Sequence, residues 1–420
     1  MHSHIFRSAA ALAALGILSG CGIGHQTLGL GNEANAALGE TRVAPSVFGY
    51  AVADEPQAAL VGREILNEGG NAADAAAAEG FALSVTLPSR AGLGGGGACI
   101  VKMPNAQGQM QPPVALLFPA GAPAGNGGSR PAAVPNLARG LLALQARYGD
   151  LPYASVIEPA EQLAAGSPVS PALEADLKVV GPALLDDPAA AAVFGRNGKV
   201  LPTGANLVQP DLAATFEMLR TQGVQGFYSG NFAQTFVTAA DQAGAGLTVA
   251  DLAGSPPKFV PPVISHVHNL NLAMLPTKAA DGQTLPASAA FMALDKNGGI
   301  VACAVSMNNL FGTGRIAPGT GVLLAASPRN VPTPQLAAGI AYNDALTFRA
   351  AATGTGQAGA AEAARVALID AITRRRGKND LVPAPGRADV ISCPGGVPGG
   401  EGTCTASTDP RGYGLAIGGR

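Results

Sequence analysis

The sequence predicts a layered α/β protein in which helices cover sheets. Apolar runs of strand length are interleaved with longer helical stretches along 420 residues, without a βα repeat of about 30 residues or a solenoid period. The hydrophobic share of 47% is that of a globular protein with a sizeable core. Its 57 glycines and 33 prolines stay below the level typical of disordered chains.

Charge excludes one class of partner. Only 13% of the residues are charged, the net charge is −2, and no run of Lys and Arg is long enough to follow a phosphate backbone. We therefore expect no nucleic-acid partner.

Residues 1–20 read as a secretory signal, too short to span a membrane, with one arginine before a short apolar run. Leu18-Ser19-Gly20-Cys21 resembles a bacterial lipobox, which predicts cleavage before Cys21 and lipidation of its thiol. The alternative is an ordinary secreted protein in which Cys21 is incidental. Gly22 favours the outer membrane, facing the periplasm, and residues 21–45 read as a flexible tether.

Four more cysteines lie in this oxidising compartment. Cys393 and Cys404 flank a loop rich in Gly and Pro, and we expect a disulfide between them. Cys99 and Cys303 each lie in an apolar strand and are expected to be buried free thiols, with a cross-strand bridge as the lesser alternative. No CxxC motif indicates a zinc or thioredoxin-like site.

The first half of the chain predicts a strand at 46–53 and a helix at Pro56–Asn67, followed by a small-sided helix that Asn71 caps. Residues 92–97, GLGGGG, contain the pattern GxGxxG, but a helix precedes them and a strand at 98–103 follows. A dinucleotide site needs the opposite order, so we interpret this stretch as a tight glycine turn and expect no cofactor.

The second half predicts helices at 134–185 and 206–242, an irregular, proline-rich stretch at 252–285, and a helix at Ala360–Thr373. Strand-like runs occur at 321–326 and 340–352. His266 and His268 lie in the irregular stretch. A strand-face metal pair is conceivable there, but exposed loop histidines are the favoured interpretation, and no metal site is expected.

The clearest local signal is a hairpin. Apolar strands at 289–294 and 300–307 are joined through Asn297-Gly298, a strong hairpin turn. A turn centred on that pair sets Ser288 opposite Met307, and a slip of one residue sets it opposite Ser306 or Asn308. Either register brings a hydroxyl close to a second hydroxyl and an amide.

Several motifs resemble the γ-glutamyltransferase (glutathione hydrolase) family. They include GGNAADAA at 69–76, GLGGGG at 92–97, GFYSG at 226–230 and TDPRGYGLAIG at 408–418, in the family's order. The resemblance implies an N-terminal nucleophile hydrolase fold, a four-layer αββα sandwich. It divides the chain into a large-subunit-like part at 46–287 and a small-subunit-like part at 288–420, which together form one domain.

The resemblance also implies a mechanism. Family members cut themselves, and here the cut falls between Ala287 and Ser288. The freed α-amine, with a pKa of about 8, can then serve as the base for the Ser288 hydroxyl, so no histidine is needed. Ser306 and Asn308 occupy family positions around the nucleophile and substrate, which would be a small peptide or another acyl amide.

Other positions depart from the family pattern. Pro119 stands where the family has the arginine that binds the substrate α-carboxylate, and Ala290 stands where it has a histidine. Residues 324–329 replace the segment that holds the substrate α-amine, and Pro334 lies near the position of paired serines. The oxyanion glycines fall near Gln357, where Gly354 or Gly356 can still donate backbone N–H groups.

Together these losses predict poor recognition of glutamate. Two functions remain open: an envelope amidase that keeps the mechanism for another acyl group, and an inactive family member that acts as a lipid-anchored structural or binding protein.

Overall fold

The computed structural model describes residues 41–42, 48–125, 127–278, 287–374, 377 and 381–419. The predicted signal sequence and Cys21 lie outside these residues, as does the predicted tether up to residue 40. Residues 41 and 42, near its end, form a short parallel strand opposite Ala416 and Ile417, so the expectation of a flexible tether is wrong for this part. In the part described, no helix is long and apolar enough to cross a bilayer.

The α-helices in these ranges are α1 Pro56–Asn67, α2 Ala72–Thr86, α3 Pro88–Ala91, α4 Leu137–Tyr148, α5 Tyr153–Ala165, α6 Pro171–Leu184, α7 Pro188–Phe194, α8 Pro210–Tyr228, α9 Gly230–Gln242, α10 Val249–Ala253 and α11 Ala360–Thr373. Short 3₁₀ turns occupy Gln357–Gly359 and Glu401–Thr403.

The strands are β1 Thr41–Arg42, β2 Gly49–Ala53, β3 Gly96–Lys102, β4 Val114–Phe118, β5 Ser167–Pro168, β6 Gly195–Arg196, β7 Lys199–Val200, β8 Asn206–Leu207, β9 Lys258–Val260, β10 Val263–Val267, β11 Leu270–Met274, β12 Ser288–Asp295, β13 Ile300–Ser306, β14 Ile316–Ala317, β15 Val322–Leu323, β16 Ala337–Tyr342, β17 Phe348–Thr355, β18 Arg387–Val397, β19 Thr405–Ser407 and β20 Leu415–Gly419.

Two sheets carry the fold. The first has eight strands in the order β1-β20-β2-β12-β13-β3-β4-β9, and the second has six in the order β10-β11-β16-β17-β18-β19. Helices α1, α2 and α4 pack on the outer face of the first sheet and α11 on the outer face of the second. Strand β12 lies between β2 and β13, so segments from both sides of Ser288 build the first sheet. This arrangement is the predicted αββα sandwich.

The core lies between the sheets because strand residues point alternately to opposite faces. Val52, Met292 and Ala302 of the first sheet meet Ile340 and Ile391 of the second, all fully buried. Ser288 lies four residues before Met292 on the same strand, and residues an even number of positions apart point to the same face. The Ser288 side chain therefore points to this inner side of the sheet.

Helix α2 is buried along its whole length. The Asn71 side chain accepts hydrogen bonds from the backbone N–H groups of Ala73 and Asp74, and Asp74 completes the capping box by accepting from the Asn71 N–H. Small side chains let α2 approach β12 closely: a Cβ on Gly80 would come within 2.9 Å of the Phe291 ring.

The hairpin between β12 and β13 forms, with a register that the sequence left open. Gly298 has a φ of +80°, and Asp295 and Gly299 close a three-residue loop with an N–H to carbonyl distance of 2.9 Å. The extra loop residue selects the alternative in which Ser288 lies opposite Ser306 rather than Met307.

Both pairs of cysteines in the described chain are bonded. The Cys393–Cys404 disulfide agrees with the prediction. The expectation of free thiols at Cys99 and Cys303 is wrong, because β3 and β13 are neighbours and place the two residues directly opposite each other, with Cα atoms 4.0 Å apart. That close cross-strand approach brings the sulfur atoms together on the helix-facing side of the first sheet.

The expectation of an irregular stretch at 252–285 is also wrong for part of it. Strands β9, β10 and β11 occupy it, and β9 joins the edge of the first sheet while β10 and β11 form the edge of the second. His266 therefore lies on a strand rather than in a loop, although it is exposed, and His268 follows it with a φ of +54°. Within the described ranges no group of three potential ligands could hold a metal ion.

Candidate active site

Two serines face each other where a pair of central strands ends. Ser288 is the first residue of β12 and Ser306 is the last residue of β13, and the two are direct partners in the ladder. Both are buried, with about 3% and 4% of their surfaces exposed. The hydroxyl pair therefore lies at one end of the sandwich, on the inner face of the first sheet.

The peptide carbonyl just before Ser288 is held by two donors. The Ser306 hydroxyl donates to the Ala287 carbonyl oxygen over 3.0 Å, and the Met307 N–H donates to the same oxygen over 3.2 Å. The Ser306 oxygen in turn accepts a hydrogen bond from the Asn308 N–H over 2.8 Å. This chain orients the Ser306 proton toward Ala287.

Asn308 joins three segments at this end of the sheet. Its side-chain amide donates to the carbonyl oxygens of Ala326, at 2.9 Å, and of Ala120, at 3.3 Å. Its backbone has a φ of +61°, which is uncommon outside glycine and is found at sites whose surroundings enforce it.

A cavity of about 230 Å³ opens beside Ser306 and Asn308. Its other walls come from several loops and are formed by Gly96, Pro119, Ala120, Thr277, Lys278, Thr333, Pro334 and Leu336. Of the described residues that line it, only Lys278 carries a charge. Pro119 and Pro334, which stand at or near substrate-binding positions of the family pattern, both face this cavity.

The predicted oxyanion residues lie at the end of β17. Gly354 is packed so closely against α11 that an added Cβ would lie 2.0 Å from the Ala360 carbonyl oxygen. Gly356 and Gln357 both have positive φ, at +99° and +62°, and lead into the 3₁₀ turn. Since the cavity walls are formed by other residues, the oxyanion role of these three residues stays a prediction.

Sequence reasoning missed two carboxyl groups near Ser288. The Asp54 carboxylate accepts the Ala290 N–H over 2.8 Å, and its side chain is within hydrogen-bonding reach of Asp389 from the second sheet. Burial raises the pKa of both groups, and the raised pKa of Asp389 is also due to the nearby Asp54 charge. One feature of the sequence could have pointed to them, because Asp389 is a charged residue within the mostly apolar run that forms β18.

Comparison with known families decides the relationship. The model of the gamma-glutamyltranspeptidase family matches residues 58–285, more than half of the chain. The chain belongs to the gamma-glutamyltranspeptidase family. The resemblance seen in the motifs is thus confirmed, and the family match itself ends just before Ser288.

Curated relatives agree with this gamma-glutamyltranspeptidase assignment. The glutathione hydrolase proenzyme of Escherichia coli (strain K12) is 35% identical over 226 residues, which cover 49% of this chain and 38% of that protein. The acylase ACY 1 proenzyme of Pseudomonas sp. (strain SE83) is 31% identical over 235 residues, covering 51% of this chain and 42% of the relative. The chain thus matches well under half the length of these relatives.

A solved structure has a similar fold over most of the chain. The crystal structure of a cephalosporin acylase from Bacillus halodurans superposes with a TM-score of 0.73 at 18% identity, covering 89% of this chain and 96% of that one. At this identity the likeness concerns the fold alone, and it confirms the αββα sandwich predicted above.

Proposed function

We propose that this family member cuts its own chain between Ala287 and Ser288 and then uses the new N-terminal serine to hydrolyse or transfer acyl amides in the bacterial envelope. The observation that carries the proposal is the pair of donors on the Ala287 carbonyl oxygen, at 3.0 and 3.2 Å. That oxygen would bear the negative charge when Ser288 attacks its own peptide bond.

Self-cleavage would proceed through an ester. The Ser288 Oγ adds to the Ala287 carbonyl carbon and loses its proton, while Ser306 and Met307 stabilise the oxyanion. The C–N bond then breaks, the nitrogen takes up a proton to become the Ser288 α-amine, and the acyl group remains on Oγ. Water hydrolyses this ester to give the Ala287 carboxylate and a free Ser288.

The freed serine would then act on substrates. Its α-amine, with an ordinary pKa of about 8, accepts the hydroxyl proton as Oγ attacks an amide carbonyl. The leaving amine takes that proton, and water or another amine releases the acyl group. Asn308 would hold the loops that wall the acyl site.

The cavity supports a small acyl group rather than a γ-glutamyl group. Its volume of about 230 Å³ suits a group of a few heavy atoms. Two prolines line it, Pro119 at and Pro334 near positions where the family pattern has polar substrate-binding residues. One cation, Lys278, lines the cavity, so a zwitterionic α-amino acid would find no matched pair of charges among the described wall residues.

Splitting of the chain tests the proposal. The full chain should separate into two fragments on a reducing denaturing gel, with a new N-terminus at Ser288 by mass spectrometry, and Ser288→Ala should stay whole. Wild-type protein that remains uncut while folded would contradict the enzyme and favour the inactive binding protein, because an unfreed Ser288 has no base. A cut chain would then be screened against short acyl anilides.

The envelope location has its own prediction. Cys21→Ala should move the protein from the membrane fraction to the soluble periplasm, because an acyl chain on Cys21 would be the anchor. Fractionation followed by blotting measures the change, and Ser19→Ala, which leaves the thiol in place, is the control. A Cys21→Ala protein that still pellets with membranes would contradict lipid anchoring.

A further inference from the structure

A side chain, rather than a strand, closes one edge of β12 near Ser288. Ala53 pairs with Phe291, and the next residue, Asp54, donates its N–H to the Ala290 carbonyl over 3.0 Å. A regular ladder would have the Asp54 carbonyl accept the Ala290 N–H, but the Asp54 carboxylate accepts it instead, over 2.8 Å. The backbone of β2 can therefore turn away while the edge of β12 stays paired.

The nitrogen of Ser288 lies on the same edge. Ser288 pairs with Ser306, and the hydrogen bond from the Met307 N–H to the Ala287 carbonyl marks them as a pair whose own N–H groups point away from each other. The Ser288 N–H therefore points toward the β2 side, as the Ala290 N–H does. Two residues of strand put these nitrogens about 7 Å apart.

Asp54 is joined there by a buried carboxyl group of the second sheet. Asp389 is about 3% exposed, and its Oδ1 accepts the Asp409 N–H over 3.0 Å. Its Oδ2 is buried and receives no hydrogen bond from any donor in the described part of the chain, while its side chain lies within hydrogen-bonding reach of Asp54. Burial raises the pKa of both carboxyl groups, and the Asp54 charge raises that of Asp389 further, so ionisation of the second carboxyl group is disfavoured while the first is charged.

Charged side chains surround the pair, and two of its neighbours have ion-pair partners of their own. Arg90, on α3, makes a two-pronged ion pair with Asp176 at 2.6 and 2.7 Å. Asp409 is paired in the same way with Arg411. Burial raises the pKa of Asp54, and two cations offset part of that rise: Arg90 first, and then Arg387 at the start of β18. Tyr413, beside Arg90, is the other titratable group.

We propose that Asp54 is a positioning residue for Ser288: it fixes the open edge of β12 and, paired with Asp389, keeps one negative charge beside the nitrogen that becomes the catalytic amine. This inference rests on the proposed function. The charge favours the protonated amine, so it sets the pH above which that amine becomes a base. This role cannot be inferred from the sequence, since Asp54 lies 234 residues before Ser288 and nothing local shows that the two meet.

The test is the pKa of the Ser288 α-amine, measured as the pH dependence of its acetylation by acetic anhydride and read by mass spectrometry of the peptide that begins at Ser288. Asp54→Asn keeps an oxygen for the Ala290 N–H but removes the charge, and should lower that pKa by about one unit, a tenfold change in the fraction of free base at low pH. Asp389→Asn replaces the shared proton with an amide N–H and leaves Asp54 charged, so it should shift the value by less than about 0.3 unit.

Controls separate position from charge. Asp344→Asn removes an exposed carboxylate that pairs with Asn271 and should change nothing. Asp54→Ala should slow splitting of the chain at least tenfold, and thermal unfolding shows whether that protein is folded. An unchanged amine pKa in Asp54→Asn, or an equal shift in Asp344→Asn, would overturn the inference.

A variant with an added protease site allows the two proposals to be tested separately. A factor Xa recognition sequence placed directly before Ser288 frees the amine whether or not the chain cuts itself. A protein that fails to split itself, but whose factor Xa product shows the Asp54-dependent shift, would contradict the proposed self-cleavage and still support the role of Asp54. A protein that splits itself but shows no Asp54-dependent shift would support self-cleavage and contradict the role of Asp54.

Discussion

Ser306→Ala should slow the splitting of the Ala287–Ser288 bond by about a hundredfold to a thousandfold, as the loss of one oxyanion donor does in other acyl transfers. The substitution removes the hydroxyl that lies 3.0 Å from the Ala287 carbonyl oxygen and leaves, of the donors in the described residues, the Met307 N–H. A time course of intact mass, taken after reduction, measures the rate.

Ser306→Thr is the matched control for this effect. It keeps a hydroxyl that can donate to Ala287 and accept from the Asn308 N–H, and a β-branched residue is well suited to a strand. It should split within about tenfold of the wild-type rate. If Ser306→Ala split as fast as wild type, or if the threonine variant were as slow as the alanine variant, the hydroxyl would have no part in the reaction.

Glu79→Leu should raise the free energy of unfolding at pH 7 by about 1–3 kcal/mol. Glu79 lies in the middle of α2, is fully buried, and neither carboxyl oxygen has a hydrogen-bond partner among the described residues. Burial therefore raises the pKa of Glu79 well above its ordinary value of 4.5. A leucine of similar size removes this unpaired polar group from the contact between α1 and α2.

The pH dependence gives the second half of that prediction. Because the folded protein holds the Glu79 proton more tightly than the unfolded chain, wild-type stability should fall as the pH rises above about 4.5 and continue to fall up to the raised pKa. Glu79→Leu should lack this contribution. Chemical denaturation between pH 4.5 and 8 measures it, with the exposed Glu158→Gln as control, and a leucine variant less stable than wild type at pH 7 would contradict the account.

Short sequence motifs were enough to predict much of the fold. Helix α2 was predictable because Asn71 and Asp74 form a capping box in sequence order, and the β12–β13 hairpin because Asn297-Gly298 separates two apolar runs. The register was not predictable, since it depends on whether the loop has two or three residues. The strands at 258–274 were missed because prolines and exposed side chains hide an edge strand from apolar patterning.

Contacts between residues that are far apart in the sequence could not be predicted, and this limited how much of the site could be found. Nothing local shows that Cys99 will lie opposite Cys303, because their strands are 204 residues apart in the chain and meet only in the finished sheet. The same holds for Asp54 and Asp389, which come from different sheets. Ser288, Ser306 and Asn308 could be singled out because the hairpin itself brings them together.

The disulfide between β3 and β13 changes what self-cleavage does to the molecule. Cys99 precedes the bond that we expect to break and Cys303 follows it, so the two products remain one covalent species. Without this bridge, unfolding of the cut protein would be a dissociation whose midpoint rises with protein concentration. With it, unfolding stays unimolecular, and the mature protein should keep its second fragment at any dilution until a reductant reaches the outer face of the first sheet.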